Sequence, residues 1–356
     1  MSDWNQFRGD ARNTGLRVDV EGPDRPEAAW TADLSGAPVG APVLGRETVY
    51  AGDDRGNLYA FDAESGHRWW VSEAFDPVAS TPAAADGVVG VARADGTVAA
   101  LDATSGDRRW EYEATAPVEA DLALADGTLY VGDADGLTAL DAATGDLRWA
   151  NETYGPVAGA PAVADGRVYV GTADEAVHAL DAETGEEEWK APTDGTVVGG
   201  PTAVDDRAYV ADDDGTLLAL DAETGQTWFA YEAGAAFTSS PTVVDETTFV
   251  PAADGYVHVT DTTFGNRKLR GLLFAKKGIG LDGRPRGSPA VAGDVCCVAD
   301  ASGGLYGIDR DDLDFDWHLP LDAPVATGPA LADGRLYVAR EDDRLACLAW
   351  DVDPSP

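Results

Sequence analysis

Short runs of alternating apolar and polar residues, separated by Asp-Gly and Thr-Gly pairs, cover almost the whole chain. Such runs predict half-buried β-strands, and the pairs predict tight turns, where glycine tolerates positive φ. The pattern is clearest in residues 156–189, where four strands are predicted with turns at residues 165–166, 173–175 and 184–185. Four consecutive antiparallel strands form one blade of a β-propeller.

This four-strand unit recurs at a spacing of about 40 residues. In each copy an aspartate ends the third strand, and a large apolar residue follows eight positions later, at Asp62/Trp70, Asp102/Trp110, Asp141/Trp149, Asp181/Trp189, Asp221/Phe229, Asp261/Leu269 and Asp309/Trp317. Seven units are complete, and the eighth, in residues 324–349, has only three strands. Trp30 precedes the first unit at the position of an outer strand. The sequence therefore predicts an all-β fold, an eight-bladed β-propeller of four-stranded antiparallel blades whose last blade is closed by an N-terminal strand.

Repeats reading Ala-Leu-Asp-Ala-x-Thr-Gly-x-x-x-Trp resemble the tryptophan-docking repeats of the pyrroloquinoline-quinone-type β-propellers. That superfamily includes quinoprotein alcohol dehydrogenases and BamB-like outer-membrane assembly factors. The resemblance covers residues 26–351, and the opening Trp4-Asn-Gln-Phe-Arg-Gly-Asp-Ala-Arg-Asn-Thr-Gly resembles the leader of many such proteins. We expect an N-terminal leader, residues 1–25, packed on a single propeller domain, residues 26–356. The resemblance implies docking of a tryptophan on the neighbouring blade at Trp30, Trp70, Trp110, Trp149, Trp189 and Trp317.

The charge of the chain is extreme, at −39, with 64 acidic and 25 basic residues and a pI near 4.1. The acids are spread through every repeat, which favours a protein adapted to molar salt over one with a single acidic interaction surface. At 1 M salt the Debye length is about 3 Å, so the repulsion between these charges is largely screened. We therefore expect a halophilic protein of a haloarchaeal type.

Residues 1–37 contain no apolar run, twin arginine or lipid-attachment cysteine, and no later stretch is long enough to cross a bilayer. The sequence predicts a cytoplasmic location, no membrane contact and, by default, a monomer. Nucleic acid is not expected as a partner, because the chain would repel it and phosphate contacts weaken as salt rises.

A quinoprotein dehydrogenase needs a divalent cation beside the quinone, a carboxylate base and stacking groups, and the first strands would supply much of this in the channel. The predicted first strands carry small residues and one charge, Asp121. Asp121 is a candidate for binding a cation or a channel water, although one carboxylate gives too few oxygens for Ca²⁺ without help from carbonyls. We expect no catalytic residue and no cofactor. The alternative is an oxidoreductase that uses pyrroloquinoline quinone (PQQ) and Ca²⁺ in the channel.

The three cysteines have two interpretations. Cys296 and Cys297 fall inside a predicted second strand, where successive side chains point to opposite faces, and Cys347 stands alone. Buried thiols are favoured, and redox or metal chemistry is the alternative. No two histidines stand at metal-ligand spacing, so no metal site is expected from them.

Residues 267–286 reverse the sign of the charge, with a single acid and seven basic residues, Arg267, Lys268, Arg270, Lys276, Lys277, Arg284 and Arg286. From Leu269 to Pro289 is 20 residues, whereas the matching step from Trp189 to Pro201 is 12, which predicts an insertion in a loop between two blades. This loop would rise from a face ringed with acidic turns. It either docks an unknown protein partner or folds onto its own propeller. Together these observations favour a non-enzymatic scaffold or protein-interaction module.

Overall fold

A computed structural model describes residues 4–17, 19–151, 155–245, 247–262, 268–270 and 275–350, with the backbone alone at 268–270 and 275–277. These residues form 34 β-strands, and 32 of them make eight sheets of four antiparallel strands. First strands of successive sheets contact one another, and the last contacts the first, so the sheets form a ring. The prediction of an eight-bladed β-propeller is confirmed. No described residue belongs to a helix long and apolar enough to span a membrane.

Each of the first four blades is a continuous piece of chain, numbered from the first complete repeat. Blade 1 consists of β3 (Pro38–Gly45), β4 (Thr48–Asp53), β5 (Leu58–Asp62) and β6 (Arg68–Ser72). Blade 2 consists of β7 (Ala83–Ala85), β8 (Val88–Ala92), β9 (Thr97–Asp102) and β10 (Arg108–Glu113). Blade 3 consists of β11 (Ala123–Ala125), β12 (Thr128–Gly132), β13 (Leu137–Asp141) and β14 (Leu147–Asn151). Blade 4 consists of β15 (Val157–Ala164), β16 (Arg167–Thr172), β17 (Ala176–Asp181) and β18 (Glu187–Pro192).

The other four blades include the two irregular ones. Blade 5 consists of β19 (Thr202–Val204), β20 (Arg207–Ala211), β21 (Thr216–Asp221) and β22 (Thr227–Glu232). Blade 6 consists of β23 (Thr242–Val244), β24 (Thr247–Pro251), β25 (Tyr256–Asp261) and β27 (Ala275–Gly280). Blade 7 consists of β28 (Pro285–Ala292), β29 (Val295–Asp300), β30 (Gly304–Asp309) and β31 (Phe315–Pro320). Blade 8 consists of β32 (Ala330–Ala332), β33 (Arg335–Arg340), β34 (Arg344–Ala349) and β2 (Glu27–Asp33). Two short strands, β1 (Leu16–Arg17) and β26 (Lys268–Arg270), join the sheets of blades 7 and 5.

The hydrophobic core lies between neighbouring blades. Second and third strands are buried along nearly their whole length, because each sheet is covered on both faces by the blades beside it. One cluster, for example, joins Tyr169 and Val177 of blade 4 to Val210 and Leu220 of blade 5. Burial on both faces accounts for the apolar runs that replace strict alternation in these strands.

The N-terminal strand closes the ring. β2 pairs antiparallel with β34, and Trp30 lies opposite Cys347. This confirms that blade 8 takes its outer strand from the start of the chain, which leaves no unpaired edge at the end of the last repeat.

Tryptophans of the outer strands join each blade to the next. The ring of Trp30 lies against Gly66 of blade 1, where φ is 71° and a Cβ would stand 2.6 Å from the indole. Only glycine suits this position. The indole N–H donates to the carbonyl oxygen of the residue after the turn aspartate, at 3.0–3.2 Å, in Trp30–Ala63, Trp70–Ala103, Trp110–Ala142, Trp149–Ala182 and Trp189–Ala222. Trp317 donates instead to Pro23 at 2.7 Å, because the N-terminal segment stands where blade 8 would have a turn.

Blade 6 corrects one prediction. Its outer strand is β27, in which Lys277 pairs with Val259, so Lys277 and not Leu269 occupies the docking position. The step from Lys277 to Pro289 is 12 residues, the regular value, and the extra residues therefore lie inside blade 6, between its third and fourth strands. The basic segment is not an inter-blade loop. Counting eight positions from Asp261 led to Leu269, an apolar residue within the insertion. Spacing alone does not distinguish an insertion before the fourth strand from one after it.

Part of this insertion joins the neighbouring blade. β26 pairs in parallel with β22, so that blade 5 has a fifth strand. The docking position of blade 5 carries Phe229, whose ring has no N–H to donate. Backbone pairing thus adds to the contact between blades 5 and 6.

Candidate functional site

The channel of the propeller is lined by the first strands and is narrow. A Cβ on Gly159, where φ is 72°, would stand 0.8 Å from the carbonyl oxygen of Gly199 in the next blade. The strands also bond across the blades: Ala41 N–H donates to Thr81 Oγ1 at 3.1 Å, and Thr81 N–H donates to Asp121 Oδ1 at 2.6 Å. Small residues are therefore required by the close approach of the strands.

Residues 4–17 close one end of this channel. Six first strands donate the N–H of their penultimate residue to this segment, on the face that carries the turns between first and second strands. The donor and acceptor pairs are Leu44–Trp4 O, Ala84–Asn5 O, Leu124–Gln6 Oε1, Val163–Ala11 O, Ala203–Arg12 O and Val291–Gly15 O. We refer to residues 4–17 as the plug.

Three side chains of the plug bond to buried groups of the ring. The Arg8 guanidinium donates to Thr202 Oγ1 at 2.8 Å and to the Pro241 carbonyl at 2.7 Å, and it also bonds Thr242 Oγ1. The amide nitrogen of Asn13 lies within 3.2 Å of the carbonyl oxygens of Ala160, Pro161 and Pro201. Arg17 reaches the Leu331 carbonyl at 3.5 Å. The plug therefore contacts all eight blades.

Arg8 is a buried cation held mainly by neutral acceptors. Its side chain is 4 % exposed, and burial lowers its pKa to about 9, although Asp10 nearby acts in the opposite direction. It stays protonated at neutral pH. Its acceptors are fixed by the ring, so the charge ties the plug to blades 5 and 6. Arg8 and Asn13 were not identified from the sequence as anchoring residues. The leader motif contained the one available signal, since Arg8 precedes a glycine and Asn13 precedes a threonine.

Above the plug lies a cavity of about 210 Å³, lined by residues within or just before the first strands and by Trp4, Phe7 and Arg8. Asp121 is among the lining residues. Burial raises the pKa of Asp121, although the bond from Thr81 acts in the opposite direction. The carboxylate thus accepts one short hydrogen bond, from the Thr81 N–H, and its ionised form is destabilised by burial.

The residues of the cavity do not fit a quinone with Ca²⁺. Ca²⁺ takes six to eight oxygen ligands at about 2.3–2.6 Å, and Asp121 is the single carboxylate of the lining. Pockets for drug-sized ligands have volumes of roughly 300–1,000 Å³. The volume of this cavity, about 210 Å³, is smaller. Within the described part of the chain, no group of three or more His, Cys, Asp or Glu side chains could hold a metal ion.

The cysteines are buried, and the structure contains them as free thiols. Cys296 and Cys297 lie in β29, opposite Ile308 and Gly307 of β30. Burial raises the pKa of Cys296 to about 12 and that of Cys347 to about 11, and it also raises that of Cys297. All three hold their protons at neutral pH, so they are poor nucleophiles and poor metal ligands.

The seven basic residues of the predicted docking segment do not share one loop. Arg267 lies outside the described residues. The backbones of four further basic residues belong to β26 and β27, but their side chains are not described: Lys268, Arg270, Lys276 and Lys277. Arg284 is exposed in the connection from blade 6 to blade 7. Arg286 pairs with Glu341 at 3.1 Å, across to blade 8. One of the two described arginines therefore contacts the acidic face of its own propeller.

Several acids of that face have structural partners. Asp300 accepts the Tyr306 hydroxyl at 2.7 Å and the Gly283 N–H at 2.8 Å, and Asp212 accepts the N–H groups of Gly195 and Thr216. These carboxylates hold the turn between second and third strands to the connection that enters the blade. Some of the acidic residues on this face therefore stabilise the fold.

The family model described as outer membrane protein assembly factor BamB matches residues 19–122, 115–198, 177–324 and 279–351. No curated protein matches the chain significantly.

Three solved structures have similar folds. BamB from Moraxella catarrhalis is 22 % identical, with a TM-score of 0.74 over 93 % of this chain and 99 % of its own. The quinohemoprotein alcohol dehydrogenase from Comamonas testosteroni is 14 % identical, with a TM-score of 0.77 over 100 % of this chain and 82 % of its own. The computationally designed Ika8 protein is 18 % identical, with a TM-score of 0.75 over 92 % and 100 %. At these identities the likeness concerns the fold alone.

Proposed function

This chain belongs to the family described as outer membrane protein assembly factor BamB, and we propose that it is a non-enzymatic scaffold that binds a protein partner in a salt-adapted cytoplasm. The observation that carries the proposal is the plug: one end of the channel is filled by residues bonded to all eight blades, and what is left is a cavity of about 210 Å³. A family named for an assembly factor supports a role in binding. No cofactor is established for this chain.

The oxidoreductase alternative has a direct test. PQQ is titrated into the protein by calorimetry in 2 M KCl with excess CaCl₂. We expect no binding heat, because the cavity is small and offers a single carboxylate. A stoichiometric heat that depends on Ca²⁺ and is lost in Asp121→Asn would replace the scaffold by a quinone-dependent enzyme.

The outer edge of blades 5 and 6 and the connection after β27 form the proposed docking surface, which includes the backbones of Lys268, Arg270, Lys276 and Lys277 in β26 and β27 and the exposed Arg284. Arg284 is the described residue best placed to contact a partner, because its side chain is exposed and Arg286 is already paired. The partner can be cross-linked to this protein in high salt and identified by mass spectrometry. We expect its recovery to depend on Arg284. Arg284→Glu should remove the specific partner, and Arg286→Ala is the matched control. Unchanged recovery with Arg284→Glu would exclude this surface.

A further inference from the structure

Each outer strand has a bulge residue immediately before its docking position, and in four blades this residue has a partner within its own blade. In blades 2 and 3, Arg109 pairs with Asp102 at 2.7 Å and Arg148 pairs with Asp141 at 2.9 Å, and in blade 4 Glu188 pairs with Arg167. In blade 5 the bulge residue is aromatic. There the guanidinium carbon of Arg207 lies 4.6 Å from the ring centre of Trp228, which is cation–π geometry.

Blade 1 repeats the indole of blade 5 without the guanidinium. Its bulge residue is Trp69, which is 57 % exposed and whose ring centre lies 5.2 Å from that of His67 in an edge-to-face arrangement. The position of Arg207 is occupied by Thr48, because each of these residues begins the second strand and pairs with the aspartate that ends the third. Blade 1 thus presents an indole where its own chain supplies no guanidinium at the matching place.

A groove of about 990 Å³ lies beside Trp69, on the face of the plug. Thr48 borders it, together with Asp10 and Asp86, and Arg46 is the cation among the lining residues. The Asp10 carboxylate also accepts the N–H groups of Arg12 and Thr14 within the plug. Two carboxylates against one arginine, on a chain of charge −39, make the groove suitable for a cation. The gap left by the short threonine adds the room that a guanidinium occupies in blade 5.

We propose that this groove binds an arginine of a basic segment of the partner protein, with its guanidinium over Trp69 as Arg207 lies over Trp228. The proposal rests on the scaffold function and adds a second surface, on the opposite side of the ring from the acidic turns. A stacked guanidinium suits molar salt, because its direct contact with the ring leaves no room for ions between them, whereas exposed charges separated by more than the Debye length of about 3 Å are largely screened.

The test follows the indole N–H resonance of Trp69 by ¹H–¹⁵N NMR in 2 M KCl, with Trp69→Phe used to assign the peak. The probe is a blocked peptide of sequence Gly-Ser-Arg-Gly-Arg-Ser-Gly, and its control replaces both arginines by citrulline, which keeps the shape and removes the charge. We expect the arginine peptide to shift the Trp69 peak with saturation and the citrulline peptide to bind at least about threefold more weakly. The Trp228 peak should not move, because its ring is already covered.

A second variant checks the gap itself. Thr48→Arg should place a guanidinium over Trp69, shift its peak without peptide and abolish the response to the peptide. The proposal is overturned if the arginine peptide leaves the Trp69 peak unmoved at 10 mM, which is about ten-thousandfold above a micromolar Kd, or if the citrulline peptide binds equally well. It is also overturned if Thr48→Arg keeps the full response, or if a neutral oligosaccharide shifts the peak instead. Partner recovery that depends on Arg284 while the Trp69 peak stays still would reject this groove and leave the scaffold function in place.

Discussion

The two ends of the channel differ in how they are built. At one end, the plug accepts N–H groups from six first strands and sends Arg8 and Arg17 to the remaining blades. At the other end are the inter-blade connections and the acidic turns, which bond to one another within and between neighbouring blades, as Asp300 does with Gly283. The first end is held by contacts that cross the whole ring, whereas the second is held by local contacts and has most of its charges in solvent.

This difference indicates where binding is to be sought. A channel filled by its own chain leaves function to the surfaces, and the surfaces differ in charge, exposed aromatic residues and blade edges. The predictions below address the two ends, from the largest expected effect to the smallest.

Removing salt should act most strongly. The 64 acidic residues outnumber the 25 basic ones and repel one another once screening is lost. We expect dialysis from 2 M to 0.05 M KCl to unfold or expand the protein, as measured by circular dichroism and thermal melting. Identical melting curves at the two salt concentrations would show that the charge is not an adaptation to salt.

Arg8→Ala should be the most damaging single change at the plug. It would remove the guanidinium donors of three buried acceptors, the Pro241 carbonyl and the hydroxyls of Thr202 and Thr242, and leave the Pro241 carbonyl with the Thr202 hydroxyl alone. We expect a cost of about 3 kcal/mol or more in unfolding free energy. Arg12→Ala is the control, because Arg12 makes an exposed ion pair with Asp165 and should cost less than about 1 kcal/mol. Urea titration in high salt measures both. Equal costs would mean that the plug is not anchored through Arg8.

Trp30→Ala tests the closure of blade 8 onto blade 1. The change removes the contact with Gly66 and the bond to Ala63, and because Trp30 is only half-buried we expect about 2 kcal/mol, below the roughly 3–5 kcal/mol of a fully buried tryptophan. The exposed Trp69→Ala serves for comparison and should change stability by no more than about 0.5 kcal/mol. A melting temperature unaffected by Trp30→Ala would contradict the role of β2 in the ring.

Asp121→Asn should have the smallest effect and the opposite sign. Because burial raises the pKa of Asp121 in the folded state, the ionised carboxylate destabilises the fold at neutral pH, and this penalty disappears as the pH falls below the ordinary value of 3.8. Asparagine keeps an oxygen for the Thr81 N–H. We therefore expect the variant to be more stable than the parent at pH 7 and equal to it at low pH. A loss of stability at pH 7 would indicate that the charge itself is used.

The repeat allowed the blade number and the closing strand to be predicted, because both follow from local spacing: an aspartate, a turn and a docking residue. The insertion in blade 6 was misplaced, since Leu269 and Lys277 are equally compatible with a repeat until strand pairing is known. An N-terminal leader packed on the propeller was predicted from residues 1–25, but its place in the channel and its bonds to the blades were not. Its bonds join residues as far apart in sequence as Arg17 and Leu331, and no local pattern encodes such contacts.

Hydrogen exchange tests the central claim, the filled channel, most directly. The amides of Leu44, Ala84, Val163 and Val291 should exchange slowly in the full chain in 2 M KCl, since their acceptors are carbonyl oxygens of the plug. Deleting residues 1–17 should make these amides exchange fast while those of second strands, such as Val168 and Tyr169 in β16, remain protected. Fast exchange of the four amides in the full chain would mean that the channel is open and that residues 4–17 lie elsewhere.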